Sequence, residues 1–357
     1  MSKSEPSESS ENMTDDELRH LLEVAWHSRQ TLMQRFREEG TDCFRLFHGT
    51  AEGLPGVSID CYGSQLLIQS FHFSLQSNRI NTIESFYQQK LPQLESTIYH
   101  DRSPAHSRRR SPDTYDERAP IEGEELGVTY QVDVKRLGQD PLLFLDMRVG
   151  RQWMLDNAAG KSVLNLFSYT CGIGICASKA GAKTVWNVDF SASALAVGES
   201  NALINGLDLE KMRFIQSDCF PALKQLAGIP ITARQKKSKN GRRVKQALPD
   251  YPRLPSKQFD LVFMDPPRWA KSPFGTVDLV RDYQSLFKPA LMATKVGGNM
   301  VVCNNVAKVD RDSWLAQLVR CGEKNGRKVE VVEMLQPEND FPSYDGIAPL
   351  KIAVLKV

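Results

Sequence analysis

No stretch of this 357-residue chain approaches the run of about 20 apolar residues that a bilayer-spanning helix needs. Its start, Met1-Ser-Lys-Ser-Glu-Pro-Ser, lacks the apolar core of a signal peptide. Cysteine is sparse: there are seven, an odd count, scattered without CxxC pairs or histidines at metal-ligand spacing. These absences predict reduced thiols, no disulfide framework, no zinc or other metal site, no membrane association and a cytoplasmic protein. Charge of one sign is missing too. Lys and Arg number 45 against 43 Asp and Glu, so the formal net charge is +2 and gives no argument for a nucleic-acid partner. That total is an average, and averages conceal blocks. The length excludes a single ordinary core and predicts two domains, or one large domain with an added module.

Residues 1–13, rich in Ser and Glu, have almost nothing to bury and are expected to be a disordered tail. Thr14-Asp-Asp-Glu17 then reads as a capping box. Leu18, Leu22, Ala25, Leu32 and Phe36 follow at helical spacing, which predicts one amphipathic packing helix ending near Gly40. Beyond Glu52-Gly-Leu-Pro-Gly56, residues 57–62 and 66–71 read as two strands about a Gly63-Ser64 turn. A helix with Ile80, Ile83, Tyr87 and Leu91 on one face and a strand at 97–100 come next. Residues 101–120 read as a loop containing Arg108-Arg-Arg110, and Val128 to Val134 alternate as a strand does. Residues 14–140 are therefore expected to form a small α+β module.

From residue 141 to 357 the texture becomes strand, glycine turn, helix, repeated. Strands are expected at 163–167, 184–188, 212–216, 259–264, 300–303, 329–334 and 352–357, with helices between the earlier ones. Such alternation predicts an α/β, Rossmann-like, doubly wound and mostly parallel sheet covered on both faces. Ligands of such sheets bind beyond the carboxyl ends of the strands, so chemistry is expected in the turns after Phe167, Val188, Gln216, Met264 and Cys303.

The first of these turns reads Phe167-Ser168-Tyr169-Thr170-Cys171-Gly172-Ile-Gly174. Gly172 and Gly174 would let the backbone bend tightly and approach a ligand. Asp189 directly follows the second strand, where a carboxylate can accept both hydroxyls of a ribose. Asp218 ends the third, where it can bond an adenine amino group while Phe220 packs on the ring. Because Gly172-x-Gly174-x-x-Ala177 also satisfies the dinucleotide fingerprint, an NAD-linked oxidoreductase stays open as a rival.

The fourth strand opens into Asp265-Pro266-Pro267-Arg268-Trp269. Two prolines fix φ at both positions and remove two amide donors, so the turn is stiff and its carbonyls are free to accept bonds. A carboxylate followed by rigid carbonyls can hold an amino-bearing planar ring edge-on, with Trp269 stacked on its face. Methyl transfer to a nucleobase requires that arrangement, since the sulfonium donor is already activated and catalysis is alignment plus acceptance of one proton.

Asn165-Leu-Phe-Ser-Tyr-Thr170, Asp189-Phe190-Ser191, Ala202 between Asn201 and Asn205-Gly206, Asp218-Cys219-Phe220 and Asp265-Pro-Pro-Arg268 together resemble the class I S-adenosylmethionine-dependent methyltransferases of the large-subunit (23S) ribosomal RNA group. The resemblance extends upstream to Glu52-Gly-Leu-Pro-Gly56 with Asp60 and Tyr62-Gly63, and to Phe144-Leu-Asp-Met-Arg148 with Arg151, so it covers residues 45–357. It implies S-adenosylmethionine as cofactor, held by the Phe167 to Gly174 turn, by Asp189 with Phe190 and Ser191, and by Asp218 with Cys219 and Phe220. Arg148 and Asp265 would approach it. The group includes cytosine-C5 and guanine-N7 enzymes. Many members begin with a small RNA-binding domain of the pseudouridine-synthase-associated type. This amino terminus does not visibly carry it, so RNA capture must rest on other surfaces.

Cytosine-C5 chemistry needs a cysteine thiolate to attack ring carbon 6. Cys303 is eligible, yet the spacing from Gly297-Gly298 and back from Trp314 puts Asn305 in the nucleophile's place, with Cys303 inside the strand. The Asn304-Asn305 pair is more like the guanine-N7 members, and both are expected to line the base pocket. Cys171, Cys176 and Cys219 have no base at readable spacing and are assigned packing roles.

A basic insertion at 230–257 offsets acid elsewhere. Arg234, Lys236, Lys237, Lys239, Arg242, Arg243, Lys245, Arg253 and Lys257 face only Asp250, a local charge of +8. Such a block neutralises phosphates, and because it precedes the fourth strand it is expected to flank the active-site entrance. The sequence thus predicts a methyltransferase acting on a base of 23S ribosomal RNA, a guanine nitrogen ahead of cytosine C5. A non-catalytic RNA-binding assembly factor remains the other alternative.

Overall fold

A computed structural model gives the structure of the protein. It describes residues 13–104, 120–134, 140–231, 235–237, 243–245 and 249–357. The tail at 1–12, the Arg108–Arg110 triplet, and Arg234, Lys239 and Arg242 of the insertion lie outside the described residues. The chain divides into two compact units, Met1–Arg148 with Pro337–Ala348, and Val149–Gln336 with Pro349–Val357. The division thus falls at 148/149, whereas the sequence places it at 140/141.

The first unit opens with α1 (Asp15–Ser28) and α2 (Gln30–Glu39). The Thr14 capping box is present, with Glu17 N–H donating to Thr14 Oγ1 at 3.2 Å and Thr14 N–H to Glu17 Oε2 at 2.7 Å. The expected single helix is broken at Arg29, whose φ of −99° and ψ of 0° turn the chain. The break lets the Arg29 guanidinium reach Glu52 Oε2 at 2.9 Å. α2 ends at Gly40, which takes the left-handed φ of 66°.

A four-stranded sheet follows in the order of the chain: β1 (Cys43–His48), β2 (Val57–Tyr62), β3 (Gln65–Ser70) and, after α3 (Ser77–Lys90), β4 (Ser96–Asp101). A hairpin of β5 (Ile121–Glu125) and β6 (Val128–Val132) completes the unit. Leu18, Leu22 and Phe36 of the helices, Phe47 and Ile59 of the sheet and Tyr87 of α3 share one buried core.

The second unit contains α4 (Arg148–Asn157), β7 (Ser162–Leu166), α5 (Gly172–Lys179), β8 (Thr184–Asp189), α6 (Ala192–Ile204), β9 (Met212–Gln216) and α7 (Cys219–Leu226). Next come β10 (Gln235–Lys237) and β11 (Arg243–Lys245), paired as a small antiparallel ribbon, and then β12 (Phe259–Met264). The remainder is β13 (Trp269–Lys271), β14 (Thr276–Asp278), α8 (Gln284–Met292), β15 (Thr294–Asn304), α9 (Arg311–Lys324), β16 (Glu330–Leu335) and β17 (Lys351–Lys356).

Seven strands form one sheet in the order β16-β17-β15-β12-β7-β8-β9. The five from β15 to β9 pair in parallel, and β17 runs antiparallel to both of its neighbours. Parallel strands buried on both faces read as continuous apolar runs, as Phe259-Asp-Leu-Val-Phe-Met264 does. Trp186, Phe259, Met264, Phe287 and Met300 belong to a single core beneath the helices.

Candidate active site at the carboxyl ends of the strands

Register brings the expected turns together. Leu166 pairs with Val188, Val188 with Ile215, Leu166 with Met264, and Met264 with Val302. Phe167, Asp189, Ser217, Asp265 and the Cys303 to Asn305 corner therefore leave the sheet at one edge. Sequence reasoning named all five turns: the strands before the third and fourth end at Gln216 and Met264 as expected, β7 ends one residue before Phe167, and β8 and β15 run one residue beyond Val188 and Cys303.

The first turn is bent by residues other than its glycines. Phe167, Tyr169 and Cys171 adopt φ of 56°, 48° and 63°, the left-handed region that side chains rarely enter. Three such residues in five store strain that surrounding bonds must offset. Asp189 supplies two of them, accepting Tyr169 N–H on Oδ2 at 2.8 Å and Ser191 N–H on Oδ1 at 2.9 Å. Ser168 N–H bonds the Val188 carbonyl at 3.1 Å, and Asn201 of α6 donates to the Thr170 carbonyl at 3.2 Å.

Gly174 has a role different from the one its spacing suggests. A Cβ there would overlap the Asn187 carboxamide, which itself accepts a 2.9 Å bond from Asn165 Nδ2. Gly174 thus admits a buried strand-to-strand bond rather than a ligand. Gly198 does the same for the turn, since a Cβ there would overlap Cys171 Sγ. Asn187, Gly198 and Asn201 were missed as site residues; small or amide residues within a strand and a helix give no periodic signal.

Asp218 is half-buried and caps α7, its Oδ1 accepting Phe220 N–H at 2.7 Å. Phe220 corrects the expectation of an adenine-stacking ring. Only 7% exposed, it sits in the core with Gly275 pressed on its edge, while Phe190 is 73% exposed. Cys219 is buried, and burial pushes its thiol well above the usual range, as it does for Cys171. Both are packing residues. Ser191 caps α6 through a 3.2 Å bond from Ala194 N–H.

Arg148 is also reassigned. Its buried guanidinium is engaged by acids of the first unit: Nε donates to Glu125 at 3.2 Å, Nη1 to Glu338 at 2.7 Å and Asp340 at 3.1 Å, and Nη2 to the Cys43 carbonyl at 2.9 Å. Burial opposes its charge, but Asp340, Glu125 and Glu338 outweigh that and raise its pKa above the usual arginine value. These bonds leave Arg148 holding that unit together instead of facing a cofactor.

At the turn after β12 Asp265 is half-buried, Pro266 buried and Pro267 exposed. Trp269, 61% exposed, begins the β13–β14 hairpin, which Leu279 N–H closes onto the Arg268 carbonyl at 3.3 Å. Asn305 is exposed, whereas Asn304 is fully buried. The Asn304 amide donates to the Leu279 carbonyl at 3.3 Å and accepts Val306 N–H at 3.0 Å, so it fastens the corner and does not line an open pocket. Cys303 lies within β15, fully buried, as its register predicts. Tyr283 was not foreseen. Its hydroxyl donates to the Cys303 carbonyl at 2.8 Å, and burial, with Cys303 and Asp265 nearby, holds the phenol well above its usual pKa.

The basic insertion is placed differently from its expectation. It leaves the carboxyl end of α7 and re-enters at the start of β12, and Lys257 N–H bonds the Leu226 carbonyl at 3.0 Å between these roots. Both roots lie at the amino ends of the strands, away from Asp265. Lys236 and Lys237 on β10 and Arg243 and Lys245 on β11 belong to its ribbon. Among the described residues no group of three or more His, Cys, Asp or Glu could hold a metal, and no helix is long and apolar enough to cross a membrane.

A strained, amide-rich turn between two strand-end carboxylates, with an exposed aromatic beside them, fits an adenosyl group and its amino-acid tail. Residues 103–231 match the model of the S-adenosylmethionine-dependent methyltransferase family. The chain is 28% identical over 336 residues to the ribosomal RNA large subunit methyltransferase I of Aeromonas salmonicida, covering 90% of this chain and 74% of that one. The Escherichia coli protein of the same name is 26% identical, covering 90% and 77%. A solved methyltransferase complexed with SAH superposes with a TM-score of 0.77 at 21% identity, covering 97% of this chain and 82% of the other. An Agrobacterium tumefaciens SAM-dependent methyltransferase gives 0.55 at 16% identity, covering 85% and 88%. Turn geometry, paired carboxylates and similarity over most of the chain all agree with the S-adenosylmethionine-dependent methyltransferases, whose family model matches residues 103–231.

Proposed function

We propose that the protein methylates a base of large-subunit ribosomal RNA in the cytoplasm. The observation that carries the reading is the alignment of the cofactor turn and the Asp265-Pro-Pro turn at adjacent strand ends, β7 beside β12. The relatives named ribosomal RNA large subunit methyltransferases supply the substrate. When bound, S-adenosylmethionine supplies a methyl group on a positively charged sulfur, already activated for attack. The chain's own part is to hold and align. Asp189 takes the ribose hydroxyls on lone pairs left after its two amide bonds, and Asp218 takes the adenine amino group. Asp265 and the Pro266 and Pro267 carbonyls hold the edge of the acceptor base, and where the acceptor atom bears a hydrogen Asp265 accepts that proton, none being released from a ring nitrogen that attacks through its lone pair. Trp269 stacks on the base and Asn305 bonds its rim. To enter this turn the base must be unpaired or flipped out.

A guanine nitrogen ranks above cytosine C5 as the acceptor. All seven cysteines are buried, and Cys303, the one adjacent to the acceptor corner, lies fully buried within β15. Replacing Asp265 with Ala should abolish transfer of labelled methyl to ribosomal RNA, while S-adenosylhomocysteine affinity stays within about a factor of ten. Full activity in that variant would remove Asp265 from the mechanism.

A further inference from the structure

The amino ends of the central strands, opposite the proposed active edge, carry a group of cations. Lys183 precedes β8, Arg213 is the second residue of β9, Lys257 lies two residues before β12, and Lys295 is the second residue of β15. Two of them share an aromatic anchor. The Arg213 guanidinium carbon is 4.3 Å, and the Lys257 Nζ 4.5 Å, from the centre of the Trp186 ring. Trp186 is itself buried, edge-on to Phe259 at 5.4 Å.

The nearby acid is already committed. Asp260 accepts Lys295 Nζ at 2.6 Å and the Ser162 N–H and hydroxyl at 2.8 and 2.6 Å. Among the described residues Lys183, Arg213 and Lys257 have no ion-pair partner. Burial first, and then the charges of Arg213, Lys295 and Lys183, push Lys257 below the usual lysine pKa. Like charges held this close repel, and phosphates placed among them would remove the penalty.

We propose that Lys183, Arg213, Lys257 and Lys295 form a second RNA contact, which binds backbone phosphates at the end of the sheet away from base capture. The proposal rests on the RNA methyltransferase reading. Adjacent strands lie about 4.8 Å apart, and these residues come from strands between β9 and β15, so the cluster is too wide for one small anion and suits successive phosphates. Continuity supports it as well. Lys257 is also the last cation of the insertion, so the cluster and the Lys236–Lys237 ribbon arise from one end of the molecule.

The test is the full-length triple variant Lys183→Gln, Arg213→Gln, Lys257→Gln, which spares the Lys295–Asp260 pair. Binding of a large-subunit ribosomal RNA fragment is measured at several potassium chloride concentrations. The slope of log affinity against log salt should shrink by about two to three. Steady-state transfer to the same fragment should show its loss in KM rather than kcat. An unchanged slope overturns the proposal, and so does competition by polyglutamate as effective as by RNA of equal charge. An unaltered melting shift with S-adenosylhomocysteine shows that the variant folds. Should it not fold, Arg213→Gln alone, at an exposed position, should lower the slope by about one. If the wild-type protein binds RNA through this cluster but transfers no methyl to it, the methyltransferase reading on RNA fails and the contact stands.

Discussion

A methyl group at position 174 would overlap the Asn187 carboxamide, a short side chain that is fully buried and held by the bond from Asn165. Gly174→Ala should therefore cost about 1–3 kcal/mol through overpacking, read as a fall in melting temperature with the cofactor absent. Cys303 supports the opposite expectation. Because it is fully buried within β15, Cys303→Ala should keep methyl transfer within about a factor of two, as a non-nucleophile would. An inert variant that still binds RNA would restore covalent catalysis and a cytosine acceptor. At this scale the sequence showed which carboxylates end strands, because a lone acid after an apolar run is conspicuous. It did not show that Phe220 is core and Phe190 exposed, since the two rings follow Asp218 and Asp189 in nearly the same way and only packing distinguishes them.

Among elements, the first unit depends on a buried ion cluster. Arg29 with Glu52, Arg45 with Asp60, and Arg148 with Glu125, Glu338 and Asp340 are all at least partly buried. Removing one partner strands the others in low dielectric, so Arg148→Ala should destabilise the protein by about 3–5 kcal/mol in urea unfolding, and Arg148→Lys should recover only part of it. The unit is also acid-sensitive. Burial, with Arg45 beside His48 and Arg102 beside His100, lowers both histidines to about 4. A folded pKa below the unfolded 6.5 contributes stability above pH 6.5 that is lost as pH falls toward 4. Unfolding followed across that window should show this decline, and His100→Leu should flatten it, since among the described residues neither ring nitrogen of His100 has a hydrogen-bond partner. Element types were legible where periodicity was long, as in the Leu18, Leu22, Ala25 stripe. The break at Arg29 was not, because a helix can bend for the sake of one distant carboxylate, Glu52. Likewise β1 and β5, short and interrupted by charge, carry no alternation strong enough to read.

Over the whole molecule, cofactor class is the coarsest distinction and the simplest to measure. S-adenosylhomocysteine should raise the melting temperature, by about 2.7 kcal/mol of stabilisation at a hundredfold excess over its Kd, and NAD should leave it unchanged. The reverse would revive the oxidoreductase that the Gly172-x-Gly174 spacing also allows. The net charge of +2 concealed where the positive charge gathers. The block itself was visible in the sequence. Its placement at the far end of the sheet follows only from connectivity, since a segment between a helix and the next parallel strand emerges opposite the turns that follow strands.

That connectivity has one more consequence. The chain leaves the second unit after β16, contributes residues 337–348 to the first, and returns to lay β17 between β15 and β16. Neither unit is thus a continuous stretch of polypeptide. A fragment ending at residue 148 would lack Glu338 and Asp340, two of the acids that neutralise Arg148, and would begin life with an unmatched buried cation. Dissecting the protein at a linker is therefore the wrong operation. A permuted chain or a grafted 337–348 peptide would be needed to isolate either half, and proteolysis within that short passage should release both from cooperative unfolding at once.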